Sequence, residues 1–129
     1  MKALVGLIAV LLVLTACDTP DPAEAGAIIV VAMAGPTCPV ETDPPDPECA
    51  PRPVADAPIV VTLLGRGGTA VAEGETDADG RLTLPLPAGN YVVTAGAVEG
   101  LVAPPDAPVV TVLAGVTTEV PIGYDTGIR

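Results

Sequence analysis

Beyond Cys17, no window of eleven or more residues carries a helical stripe free of glycine and proline. The punctuation is densest from Thr37 to Pro58, where seven prolines fall at positions 39, 44, 45, 47, 51, 53 and 58. Proline has no backbone N–H, and its ring clashes with the preceding helical turn, so this stretch is neither helix nor interior strand. A helical domain is excluded, and the chain must be built from short extended segments and turns.

Such segments are present. Ala27–Ala34 and Ile59–Leu64 are runs rich in β-branched residues, and Thr69–Thr76 is a weaker one interrupted by Gly74. Arg81–Leu86 alternates, with Leu82, Leu84 and Leu86 on one face. Asn90–Ala95 places Tyr91, Val93 and Ala95 together, and Val109–Leu113 follows a proline-rich connection. Val116, Thr118, Val120 and Ile122 line one face of the last segment. Asp77-Ala78-Asp79-Gly80, Pro87-Ala88-Gly89 and Ala114-Gly115 supply the turns, through side-chain bonds to backbone and glycine's tolerance of positive φ. Seven short strands with period-2 patterning predict an all-β fold, an antiparallel β-sandwich over residues 27–129. With no Phe or Trp, its core is one of Val, Leu, Ile and Ala.

The N-terminus carries a different signal. Lys2 precedes an apolar run, Ala3–Leu14, which is too short to span a bilayer and stops at an acidic, proline-rich stretch. Leu14-Thr15-Ala16-Cys17 then reads as a lipobox: residues 1–16 are a signal peptide, and Cys17 is the thiol that accepts diacylglyceryl and palmitate-type acyl chains. Residues 17–26 read as a lipidated terminus and flexible tether. The expected location is the extracytoplasmic face of a cell membrane.

Cys38 and Cys49 remain, enclosing Pro39-Val40-Glu41-Thr42-Asp43-Pro44-Pro45-Asp46-Pro47-Glu48. In an exported chain they are expected to pair, pinning a loop that has no core of its own. A two-thiolate zinc site is the competing possibility, and it lacks further Cys or His ligands.

The formal net charge is −11, and losing Lys2, the sole lysine, makes it more acidic. Such a surface repels nucleic-acid phosphates and anionic lipid headgroups. The chain has no His, Ser, Gln, Phe or Trp. Without His there is no Ser-His-Asp or Cys-His machinery and no imidazole ligand, and with only Tyr91 and Tyr124 there is no aromatic platform for sugars or bases. These absences argue against an enzyme, and no catalytic residue, cofactor or metal site is assigned.

The run from Thr76-Asp77-Ala78-Asp79-Gly80-Arg81-Leu82 to Leu86-Pro87-Ala88-Gly89-Asn90-Tyr91-Val92-Val93 resembles the carboxypeptidase regulatory-like domain family. The resemblance implies a transthyretin-like (prealbumin-like), seven-stranded Greek-key sandwich of a bacterial lipoprotein. It implies no peptidase activity, because in the enzymes this module is an accessory to a separate zinc-bearing domain.

The expected function is a lipid-anchored, non-catalytic module at the cell envelope that binds a protein, peptide or glycan partner or supports envelope structure. The alternative is a carboxylate-based Ca²⁺-binding domain around the Asp77–Gly80 turn, where Glu73, Glu75, Asp77 and Asp79 crowd together. A pilin-like isopeptide sandwich needs a lysine, and none follows Lys2. The Pro39–Pro53 loop, with Glu41, Asp43, Asp46 and Glu48, is a second candidate surface, suited to a basic partner. Tyr124–Arg129 is expected to dock against the sandwich edge.

Overall fold

A computed structural model describes residues 25–65 and 67–128. Cys17 and the expected signal peptide lie outside the described residues, as do Arg66 and Arg129. The elements are β1 (Ala25–Gly35), a 3-10 turn (Pro47–Cys49), β2 (Arg52–Pro53), β3 (Pro58–Leu63), β4 (Ala70–Glu75), β5 (Arg81–Pro87), β6 (Gly89–Ala95), β7 (Val109–Val112) and β8 (Thr117–Asp125).

They form two four-stranded sheets. In the first, β1 is central, flanked by β2 and β5 on one side and β8 on the other; the second runs β4-β3-β6-β7. The expected all-β sandwich is what forms, with two-residue β2 added to the seven expected strands. One pairing departs from the antiparallel expectation: β8 runs parallel to β1, from Ala27 opposite Thr117 to Gly35 opposite Asp125. Parallel partners need a long crossover, and here the whole second sheet lies between the two strands in sequence. β1 also begins at Ala25, two residues inside the expected tether.

The sequence patterning sorts the side chains. Along β1, alternate residues Ile28, Val30, Ala32 and Ala34 face inward and are buried. They meet Ile59 and Val61 of β3, Tyr91 and Val93 of β6, Val110 and Val112 of β7, and Val120, Ile122 and Tyr124 of β8. Leu86 is buried, whereas Leu82 and Leu84 of the same face pack half-buried against this core. Each Val or Ile so buried contributes about 1.5–3 kcal/mol of transfer free energy, and no single large residue dominates.

Two contacts fix the chain paths between the sheets. Thr76, the only buried polar residue among those described, leaves none of its hydrogen-bonding groups idle. Its hydroxyl donates to Val54 O (2.5 Å) and accepts from Ala57 N (2.9 Å), while its backbone bonds Asp56 N and Ala57 O. The β2–β3 connection is thereby clamped to the β4–β5 turn. In that turn Gly80 has φ +73°, and a Cβ there would lie 2.3 Å from Ala32 O, so only glycine fits.

Candidate functional site

The disulfide-tied loop between β1 and β2 forms an open cleft of about 400 Å³. Cys38 and Cys49 are bonded, with Cα atoms 5.3 Å apart, so the expected bridge is present and the zinc alternative is not. The loop's prolines exclude regular pairing, and local bonds replace it. Asp46 caps the Pro47–Cys49 turn through a bond from Glu48 N to its carboxylate (2.9 Å). Thr42 donates to Pro44 O (3.1 Å), and Thr37 donates to Ala50 O (3.3 Å).

The loop is fastened at its base by three segments. Met33 and Ala34 pair with Pro53 and Arg52. Thr126 N bonds Gly35 O (3.3 Å), and its hydroxyl donates to Pro36 O. The cleft is lined by Glu41, Thr42 and Asp46 among Pro45, Pro47 and Pro51. Asp43 and Glu48 are not on its wall. Residues 39–48 are all exposed, so this is a surface and not an enclosed chemical site.

The acidic turn is organised differently from a cation loop. Asp77 turns its carboxylate inward on its own backbone, accepting from Asp79 N (2.9 Å) and Arg81 N (3.0 Å). Glu73 and Glu75 stay exposed on β4. Among the described residues, no three Cys, Asp or Glu side chains gather into a group that could hold a metal.

The two tyrosines are structural. Tyr91 donates to Pro87 O, four residues upstream, at 2.6 Å, the arrangement of a tyrosine corner where the chain passes from one sheet to the other. Tyr124, expected as part of a docked tail, instead completes β8 and is buried. Burial raises the pKa of both phenols above the ordinary tyrosine value. Residue composition alone does not reveal these anchors; the spacing Pro87-Ala88-Gly89-Asn90-Tyr91 is the signal for the first, and none marks the second.

No helix among the described residues is long and apolar enough to cross a membrane. No protein-family model matches the sequence, and no curated protein matches it. Solved structures do share its fold. The minor pilin GBS52 of Streptococcus agalactiae superposes with a TM-score of 0.59 at 17% identity, over 79% of this chain and 44% of that one. The major pilin subunit BcpA of Bacillus cereus gives 0.57 at 16% identity, over 78% of this chain and 29% of that one. The Bacillus anthracis TIE protein gives 0.58 at 17% identity, over 78% of this chain and 17% of that one. The chain thus spans less than half the length of each of these proteins, and identities this low show a shared β-sandwich fold alone.

Proposed function

We propose that this protein is a lipid-anchored, non-catalytic β-sandwich of the bacterial cell envelope, serving as a binding or structural module. The observation that carries the reading is Leu14-Thr15-Ala16-Cys17 at the end of a short apolar run, ahead of the first strand at Ala25. Export and acylation of Cys17 would leave the sandwich on a short acidic tether outside the membrane.

The fold neighbours support a structural role, since they include a minor pilin and a major pilin subunit, and pilins are structural proteins of the cell surface. The disulfide supports an oxidising compartment. The exposed Pro39–Pro53 loop supplies the recognition surface, already ordered by its bridge and so losing less entropy when a basic partner binds. The turn motif shared with carboxypeptidase regulatory-like domains agrees with an accessory, non-catalytic module.

Intact mass spectrometry of the protein extracted from its native membrane tests this. The expected mass is that of residues 17–129 plus a diacylglyceryl-based lipid, rising by two hydrogens on reduction. A mass without lipid, or a chain beginning elsewhere, overturns the anchor.

A further inference from the structure

The charge of this protein is not spread evenly over the sandwich. Strand registers sort every connection to one of two poles. At the far pole lie the β1–β2, β2–β3, β4–β5 and β6–β7 connections, which carry nine acidic residues and no basic one. At the near pole lie the β3–β4, β5–β6 and β7–β8 connections, which carry no acidic residue, and whose single charge in the sequence is Arg66.

The near pole is also where the described chain begins. Gly115 N bonds Ala25 O (3.0 Å), Ala27 N bonds Val116 O (3.1 Å), and Ala25 lies opposite Pro87. Leu64 N bonds Asn90 O (3.0 Å), bringing the β3–β4 turn to the same end. Among the described residues, large hydrophobic side chains are exposed at both poles: Leu113, Leu64 and Val116 stand here, and Val40, Val102 and Val109 at the far pole, so charge and the start of the chain are what distinguish the two.

We propose that this pole is a membrane-seating surface, resting on the lipid bilayer that holds the anchor; the proposal rests on the anchor at Cys17. Two observations select a lipid surface as occupant. The seven residues between Cys17 and Ala25 span at most about 30 Å when extended, so the anchor holds this pole within reach of the headgroups. The charge distribution then orients the molecule: an anionic bilayer repels the acidic far pole and tolerates the near one, whose connections carry no acidic residue, so that Leu64, Leu113 and Val116 enter the interface. Seated so, the sandwich holds the disulfide-tied acidic loop away from the membrane.

The sequence has no Trp, so one introduced tryptophan reports its own position. Lipidated Leu113→Trp, Val116→Trp and, at the far pole, Val40→Trp proteins are placed in phosphatidylethanolamine–phosphatidylglycerol vesicles with brominated acyl chains. Emission from position 113 or 116 is expected to be blue-shifted and quenched at least twofold relative to non-brominated vesicles, and that from position 40 unchanged. Equal quenching at both poles, or none at 113 and 116, overturns the orientation. Two near-pole variants keep the test valid if one fails to fold. The mass of the same preparations reads the anchor separately. If Cys17 carries no lipid, the anchor fails, and flotation of the unlipidated protein decides the surface: quenching at 113 or 116 sustains it, and absence of vesicle binding overturns it.

Discussion

Tyr124 of β8 donates its hydroxyl to the carbonyl of Gly96, 28 residues away at the end of β6, over 2.8 Å. The bond ties the edge strand of one sheet to the connection leaving the other. Tyr124→Phe removes the donor and leaves that carbonyl without this partner, at a cost of about 1–2 kcal/mol. Tyr91→Phe should cost a similar amount through Pro87 O, and because the sites are separate the double variant should be additive within about 0.5 kcal/mol. Urea unfolding of the four proteins measures this; a strongly non-additive pair would contradict two independent anchors.

The same two phenols set an alkaline limit. Burial favours their neutral forms, so their folded pKa values lie above the unfolded ones. In that window the unfolded chain has lost protons that the folded chain retains, so stability falls as pH rises above about 10. Below that pH these groups contribute no pH dependence. Absorbance at 295 nm should show tyrosinate appearing at higher pH in the native protein than in urea. Coincident titrations would contradict the burial.

Two glycines facing opposite circumstances give a contrast. A Cβ on Gly26 would lie 2.3 Å from Leu113 O and 2.8 Å from Val116 O, both backbone, whereas one on Gly123 meets nothing within 4 Å. Gly26→Ala should therefore destabilise by about 2–3 kcal/mol through overpacking against atoms that cannot rotate away. Gly123→Ala should be neutral or slightly stabilising by restricting the unfolded chain. Thermal melts of both variants decide it; a harmless Gly26→Ala would show that β1 does not approach the β7–β8 turn.

Thr76→Val keeps the shape of the side chain and deletes its hydroxyl. Val54 O and Ala57 N then lose their partner inside the protein. The expected loss is about 2–4 kcal/mol, larger than for exposed Thr94→Val, which should change stability by less than about 0.5 kcal/mol. Denaturant midpoints check this, and equal midpoints would remove the clamp.

Reducing the Cys38–Cys49 bridge should loosen the loop and leave the sandwich standing. Residues 39–48 are all exposed, so no core contact is lost. In the chain-entropy picture the bridge is worth about 2–3 kcal/mol. Reduced protein should show new proteolytic cuts within residues 39–48 and an unchanged strand signature in far-ultraviolet circular dichroism. Loss of that signature on reduction would mean the loop supports the core.

Strand positions were legible because they depend on local chemistry. Period-2 runs between glycine and proline turns located every strand of four or more residues to within about three residues at each end, as at Arg81–Pro87 and Gly89–Ala95. The bridge was legible for the same reason, since two thiols flank a loop with no apolar residue but Val40. The Asp77–Gly80 turn was legible too, with Asp77 accepting from Asp79 N and Arg81 N, whereas the proximity of Glu73, Glu75, Asp77 and Asp79 in sequence says nothing about where their carboxylates point.

By itself the sequence determined an all-β chain, its turns, a core without Phe or Trp, and an acidic proline-rich loop between two cysteines. These follow from backbone chemistry and side-chain alternation along the chain. Only the tertiary structure decided that β8 lies parallel to β1, that Tyr124 belongs to the core, and that the connections without acidic residues share one pole with the start of β1. Each is a contact between segments far apart in sequence, selected by which apolar faces close over one another.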